Sequence, residues 1–426
     1  MTKERFKSLY PAAGAAILLS ACFGGVFSRA LANILFPLLL IWALAALFLF
    51  SGERRPPAPP RVCLWGIALY LGLTLPSAVF SLEPERSFIA LAVALYLLLT
   101  AFSVWMVVSL SGDRLLKLVP FFYGAGLIAW FLISFRESSY CVACLRAMAD
   151  LGVMDSGAVL SQVVPLLLGA LALNIQSERR KLFFIAALIF GCLSLYMNCS
   201  RIALITTPAS SALMIIAFRR RYGKAVWIAL AVSALILGSL VLSDQGIRNR
   251  FGEMFKGAEA SNPNLVRYSH WKKGWEQFLQ HPVLGNGPDA VRNLEFDDLP
   301  VSDRGYREDH LEFYHAHQTF ITVLAESGIL GLLGFMALIL LPLIYIWPHR
   351  KTEDILTRFY VWGAFTVFIQ FFLNALTDHV FSIKPPMYVY WTVFSAAVFM
   401  VKRKRDESPS GEREQSFGDK SSGLKT

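Results

Sequence analysis

Charge is the scarcest ingredient of this chain. Asp, Glu, Lys and Arg supply 16% of its 426 residues, against roughly 25% in soluble domains. With 55% of residues hydrophobic, that deficit excludes an ordinary soluble fold. Strict apolar–polar alternation is also missing, which excludes the strands of a membrane barrel. Cysteine is rare, with six residues. Cys22, Cys63 and Cys192 fall in apolar runs, where a thiol behaves as a small apolar group. Cys141 and Cys144 are too few to hold zinc alone, though a local disulfide stays open to them in an oxidising compartment. No repeat of short period is present, which excludes a solenoid.

What the chain has instead is a series of apolar runs, each about 20 residues, enough to cross a bilayer core as a helix. Twelve can be counted, at about 11–28, 30–50, 62–80, 88–110, 118–135, 157–175, 182–199, 202–218, 225–243, 318–346, 358–378 and 386–401. The first lacks a cleavage site and reads as a retained helix rather than a leader. The expected class is an all-α polytopic membrane protein of about 12 transmembrane helices, since helices satisfy their own backbone groups in lipid.

Lys and Arg set the orientation. Both termini and the alternate loops hold 25 of the 40, whereas the short loops of the opposite side hold six. Both termini are therefore expected in the cytoplasm, and the net charge of +10 follows from topology without a nucleic-acid partner. This divides the chain into helices over 1–243, one large outer loop over 244–316, further helices over 317–401, and a tail over 402–426. The tail is rich in Ser, Gly and charge, a composition that predicts disorder.

The loop carries the polar chemistry. Arg267 to Gln280 reads as an amphipathic helix, with Trp271, Trp275 and Phe278 at helical spacing. "HPVLGNGPDA" then breaks it with Pro282, Gly285, Gly287 and Pro288, and 289–312 reads as acidic and irregular. The Asp297-Asp298 pair is read as solvated loop rather than a metal site. Five of the seven histidines lie in or at the end of this stretch.

Within the apolar runs Glu326 is the clear ionisable exception. A transporter is expected to keep coupling charges near the midplane, whereas here the charges collect at the outer surface. That favours binding or chemistry at the membrane–water interface. Arg201, Arg267, His315 and His317 stand there. Taken singly each has an ordinary reading: Arg201 as a snorkelling side chain, Arg267 as a surface residue, the histidines as interfacial groups. Asp378, beside His379, reads as a helix-end carboxylate or as a group orienting a base. Glu326 lies too deep after His317 to be a first choice for chemistry, and reads as a polar contact in the bundle.

Their order along the chain changes the reading. An Arg precedes a Trp by four residues (Arg267, Trp271), then "PVLGNG", then His317-Gln318, nine residues, and Gly328-Ile329-Leu330-Gly331, whose glycines suit close helix packing. This order over roughly 185–345 resembles the O-antigen ligase family. Leu332 and Ile205 depart from that family's usual residues. The resemblance implies a glycosyltransferase of the membrane-embedded type C fold, in the inner membrane of a Gram-negative bacterium, with the long loop and active site periplasmic. The implied donor is a glycan on undecaprenyl diphosphate and the implied acceptor a sugar hydroxyl of lipid A–core, among membrane lipids, with no metal and no cofactor. Arg201 and Arg267 would meet the diphosphate. His317 would be the base, with His315 second, and Asp378 and Trp271 supporting. O-antigen polymerase and protein O-glycosyltransferase of the same superfamily share this logic and stay open as alternatives. A transporter of lipid-linked sugars fits less well, for want of midplane charge. A non-catalytic scaffold for polysaccharide assembly is the remaining class.

Overall fold

The computed structural model describes residues 3–50, 56–138, 153–198, 200–223, 263–291, 294–295, 312–313, 315–381 and 384–407, with isolated positions between. Most of the run 225–243, most of the acidic stretch with Asp297 and Asp298, Cys141, Cys144 and the chain beyond 407 lie outside them. The helices in chain order are α1 (Lys3–Gly24), α2 (Arg29–Leu49), α3 (Arg61–Val79), α4 (Pro84–Ser111), α5 (Asp113–Ser138), α6 (Val153–Leu173), α7 (Glu178–Asn198), α8 (Arg201–Phe218), α9 (Pro263–Gln280), α10 (Thr319–Ile346), α11 (Ile355–Ala375) and α12 (Lys384–Glu407). Among the described residues, nine helices are long and apolar enough to cross a membrane, and part of α1 forms a shorter apolar helix. The molecule is a multi-pass membrane protein.

Two short strands depart from a purely helical reading. β1 (Leu294–Glu295) pairs antiparallel with β2 (Glu312–Phe313), with Leu294 opposite Phe313. Two residues per strand are too few for periodicity to reveal.

α6 is the enclosed centre, with almost its whole span buried, and it packs on α7, α8, α11 and α12. α3 lies against α10, and a Cβ at Gly334 would sit 3.0 Å from the Leu69 carbonyl oxygen, so glycine permits that approach. Aromatic rings stack along α12: Phe36 of α2 lies 3.8 Å from Tyr388, and within the helix Tyr390 and Phe394 lie 4.3 Å apart.

Polar contacts gather at the two ends of the bundle. At one end Arg403 pairs with Asp113, the Lys404 Nζ donates to Thr352 Oγ1 (2.8 Å), and the Trp362 indole donates to the Arg350 carbonyl (2.9 Å). α12 runs past the end of its apolar stretch at 401 because Lys402–Asp406 and Arg403–Glu407 pairs continue it at i, i+4 spacing. At the other end Arg29 pairs with Asp155, and the loops that carry the site converge.

Candidate active site

The site begins with a broken helix. Gly328 sits inside α10 at φ 60°, ψ −164°, a conformation essentially reserved for glycine. The break strips backbone groups of their helical partners, and "HPVLGNG" replaces them. Ile329 N–H donates to the Pro282 carbonyl (2.9 Å) and Leu330 N–H to that of Val283 (3.3 Å). In return Asn286 N–H donates to the Ala325 carbonyl (3.1 Å) and Gly287 N–H to that of Glu326 (2.7 Å). Irregular backbone within a membrane bundle persists only when re-satisfied in this way. A Cβ on Gly328 would lie 2.3 Å from the Val283 oxygen, and one on Gly285, at φ 69°, 2.4 Å from the Glu326 carbonyl. Gly328 is thus a break-maker, where the sequence suggests a packing glycine.

Three further helices hold this turn. The Asn286 side-chain amide donates to the carbonyls of Ala325 (2.9 Å) and Gln277 (3.1 Å), tying α9 to α10. Ser77 of α3 donates to the Glu326 carbonyl (2.8 Å), and Ser87 of α4 to that of Pro288 (2.7 Å).

The start of α10 carries the histidines. Gln318 caps it by accepting from Ile321 N–H, and Thr322 Oγ1 donates to the Gln318 carbonyl (2.9 Å) while accepting from Ala316 N–H (3.2 Å). Between these fixed points His317 takes φ 47°, an uncommon backbone for a residue with a Cβ. Its N–H donates to His315 Nδ1 (3.1 Å). The rings of His315 and His317 meet edge to face at 4.4 Å, His270 of α9 stacks on His317 at 5.0 Å, and His379 lies 5.3 Å from His315.

Asp378 closes the cluster. Its Oδ1 lies 3.6 Å from His317 Nδ1. That is an ion-pair contact, longer than a formed hydrogen bond. Oδ1 also accepts from His379 N–H (2.8 Å), and the Asp378 carbonyl accepts from Thr319 Oγ1 (2.8 Å), locking the end of α11 to the start of α10. Burial pushes the Asp378 carboxyl up, but His317 and the His379 amide outweigh it and leave it below its ordinary range. Burial, with His317 adding to it, lowers His270 to about 4. Burial likewise lowers His379 to about 4, against the opposing pull of Asp378. His315 is held well down by burial and then by His379 and His317, so these three rings stay neutral. The nitrogens of His315 and His317 and an oxygen of Asp378 lie within 4.8 Å of one another, close enough to hold a metal ion.

A cavity of about 460 Å³ opens beside the cluster, lined at its polar end by His315, His379, Asp289 and Glu326 and along its flank by apolar residues of α4. Glu326 therefore belongs to the site wall, although its position along α10 reads as too deep. Burial of the α9 face also differs from the sequence reading: His270, Gly274 and Gln277 are buried, Arg267 and Trp271 half-buried, and Trp275 exposed. Gly274 and Gln277, which carry no apolar signal, take the place expected of Trp275.

Of the residues picked from sequence, His315, His317 and Asp378 are brought together directly. Arg267 lies one turn before His270 on the same face of α9, and the His270 ring stacks on that of His317. Trp271 follows on that face with its indole nitrogen buried and without a hydrogen-bond partner among the described residues. Arg201 sits half-buried in the first turn of α8, capped by Ser200. α8 packs on α11, where Ser210 Oγ donates to Gln370 Oε1 (2.9 Å). His270, His379, Asp289 and Glu326 join the site without being picked out by sequence for it. The His270 signal lies in its i+3 relation to Arg267, and that of His379 in its adjacency to Asp378.

No curated protein is matched by the chain. Residues 185–336 match the family model described as O-antigen ligase. That stretch runs from α7 into α10 and contains Arg201, Arg267, the Pro282–Gly287 turn, both site histidines of α10's entry and the break at Gly328. The match supports an O-antigen ligase domain over these residues.

Proposed function

We propose that the protein is a lipid-linked glycosyltransferase, an O-antigen ligase that moves a glycan from undecaprenyl diphosphate to a sugar hydroxyl of lipid A–core. The observation that carries this reading is the His317–Asp378 contact beside a cavity with a polar end and an apolar flank, within a domain of this family. His317 Nδ1 faces Asp378, which leaves Nε2 free to take a proton. The acceptor oxygen attacks the anomeric carbon, its proton passes to Nε2, and the bond to the diphosphate breaks with the electron pair leaving on the phosphate oxygen. Direct displacement inverts the anomeric centre. Arg201 and Arg267 meet the growing negative charge, and Trp271 braces the face that bears Arg267. His315, with Nδ1 occupied by the His317 amide, positions His317.

This role needs Nδ1 of His317 as a donor to Asp378, which a metal on that nitrogen would displace. The reaction is accordingly proposed to be metal-independent, in the type C glycosyltransferase fold, with twelve spans and the cluster on the periplasmic side of the inner membrane. Purified protein given both substrates and a chelator tests the reading. Glycan on lipid A–core supports a ligase. Longer glycan on the lipid carrier would instead mean a polymerase. Activity lost to chelator and restored by a divalent ion would reassign His315, His317 and Asp378 as ligands.

A further inference from the structure

The proposed chemistry leaves one side of the cavity unused. Glu326 stands there at the break in α10, its own carbonyl fixed by Gly287 N–H and Ser77 Oγ. The backbone amide of Asp289 donates to the Glu326 carboxyl, and the two carboxyl groups are near enough to influence each other electrostatically. Both line the cavity with His315 and His379. A second feature is independent of these acids. Thr74 of α3 lines the same cavity, is 3% exposed, and its hydroxyl has no hydrogen-bond partner among the described residues. Leaving a buried hydroxyl unpaired forfeits its hydration without return, so its presence on a cavity wall points to a ligand group that completes it.

Electrostatics decides which ligand. A diphosphate is drawn to the arginines of α8 and α9 rather than to a wall of two acids. The wall of Glu326, Asp289 and Thr74 suits an uncharged partner rich in hydroxyls, because carboxyl and hydroxyl groups can each accept from or donate to them. We propose that these three residues form the subsite for the acceptor sugar, with its attacking hydroxyl turned toward the histidines. The assignment rests on the transferase reading, and it adds binding residues that reading does not use.

Equilibrium binding of purified lipid A–core to the full-length protein, without donor, tests it apart from turnover. Glu326→Gln and Asp289→Asn are expected to weaken binding at least tenfold. Thr74→Val is expected to weaken it severalfold while leaving the melting temperature unchanged or higher, because no internal hydrogen bond is lost. In transfer assays the acceptor KM rises and the donor KM stays within twofold. Thr74→Val keeps the test open should a carboxyl variant fail to fold. Wild-type affinity in the folded variants overturns the subsite. Binding lost in the variants, with no transfer by the wild type, supports the subsite and overturns the transferase reading alone.

Discussion

His317 is the residue on which the site turns. Its left-handed backbone is held by the Gln318 cap on one side and the His315 contact on the other, and such conformations cost of order 1–3 kcal/mol where they persist. In the proposed mechanism Asp378 sets its tautomer, so Asp378→Asn is expected to lower kcat about 100-fold or more with little change in substrate KM, as read in steady-state transfer assays. Neutral histidines around it give a pH signature. His270 and His379 titrate near 4 when folded, against 6.5 for an unperturbed histidine. Between those values the unfolded chain binds more protons, so their contribution to stability is complete above about pH 6.5 and is lost as pH falls toward 4. Thermal unfolding in detergent should show a melting temperature flat above that range and falling below it, with a shallower fall in His379→Asn.

At the scale of elements, the paired break and turn is the main device. Gly328→Ala is expected to cost about 1–3 kcal/mol from backbone conformation alone, with the collision against Val283 added. Reduced melting temperature and lost transfer would register it, whereas Gly72→Ala on α3, where a Cβ meets nothing within 4 Å, should be tolerated. Apolar runs of helical length announce the membrane helices, and the spacing from His317 to Gly331 announces a special start to α10. The exchange of hydrogen bonds between α10 and Pro282–Gly287 is not legible in sequence, because it joins backbone groups some 40 residues apart, for instance Asn286 to Ala325, and leaves no side-chain pattern. Glu326 escapes for the same reason: depth counted along an unbroken helix ignores a cavity that reaches it. Asp378 is legible as a lone carboxylate at a span's end, but its bond to Thr319 is not.

For the whole molecule, the basic residues gather at the end of the bundle opposite the histidines, as at Arg403, Lys404 and Arg405. In the proposed orientation that end faces the cytoplasm, so Leu279→Cys on the exposed face of α9 should react with an impermeant maleimide from the periplasm. Lys351→Cys should react after permeabilisation alone, both in a background without native cysteines. The reverse pattern would invert the topology and remove the site from its lipid-linked donor. The proposed role of the histidine at the mouth of α10 is to drive transfer between two lipid-borne glycans. It is tested most directly by product formation from undecaprenyl diphosphate-linked glycan and lipid A–core, with chelator, by wild type and by folded His317→Ala. Transfer by the wild type and a loss of at least 100-fold in the variant is the predicted result. Equal transfer by both would contradict it.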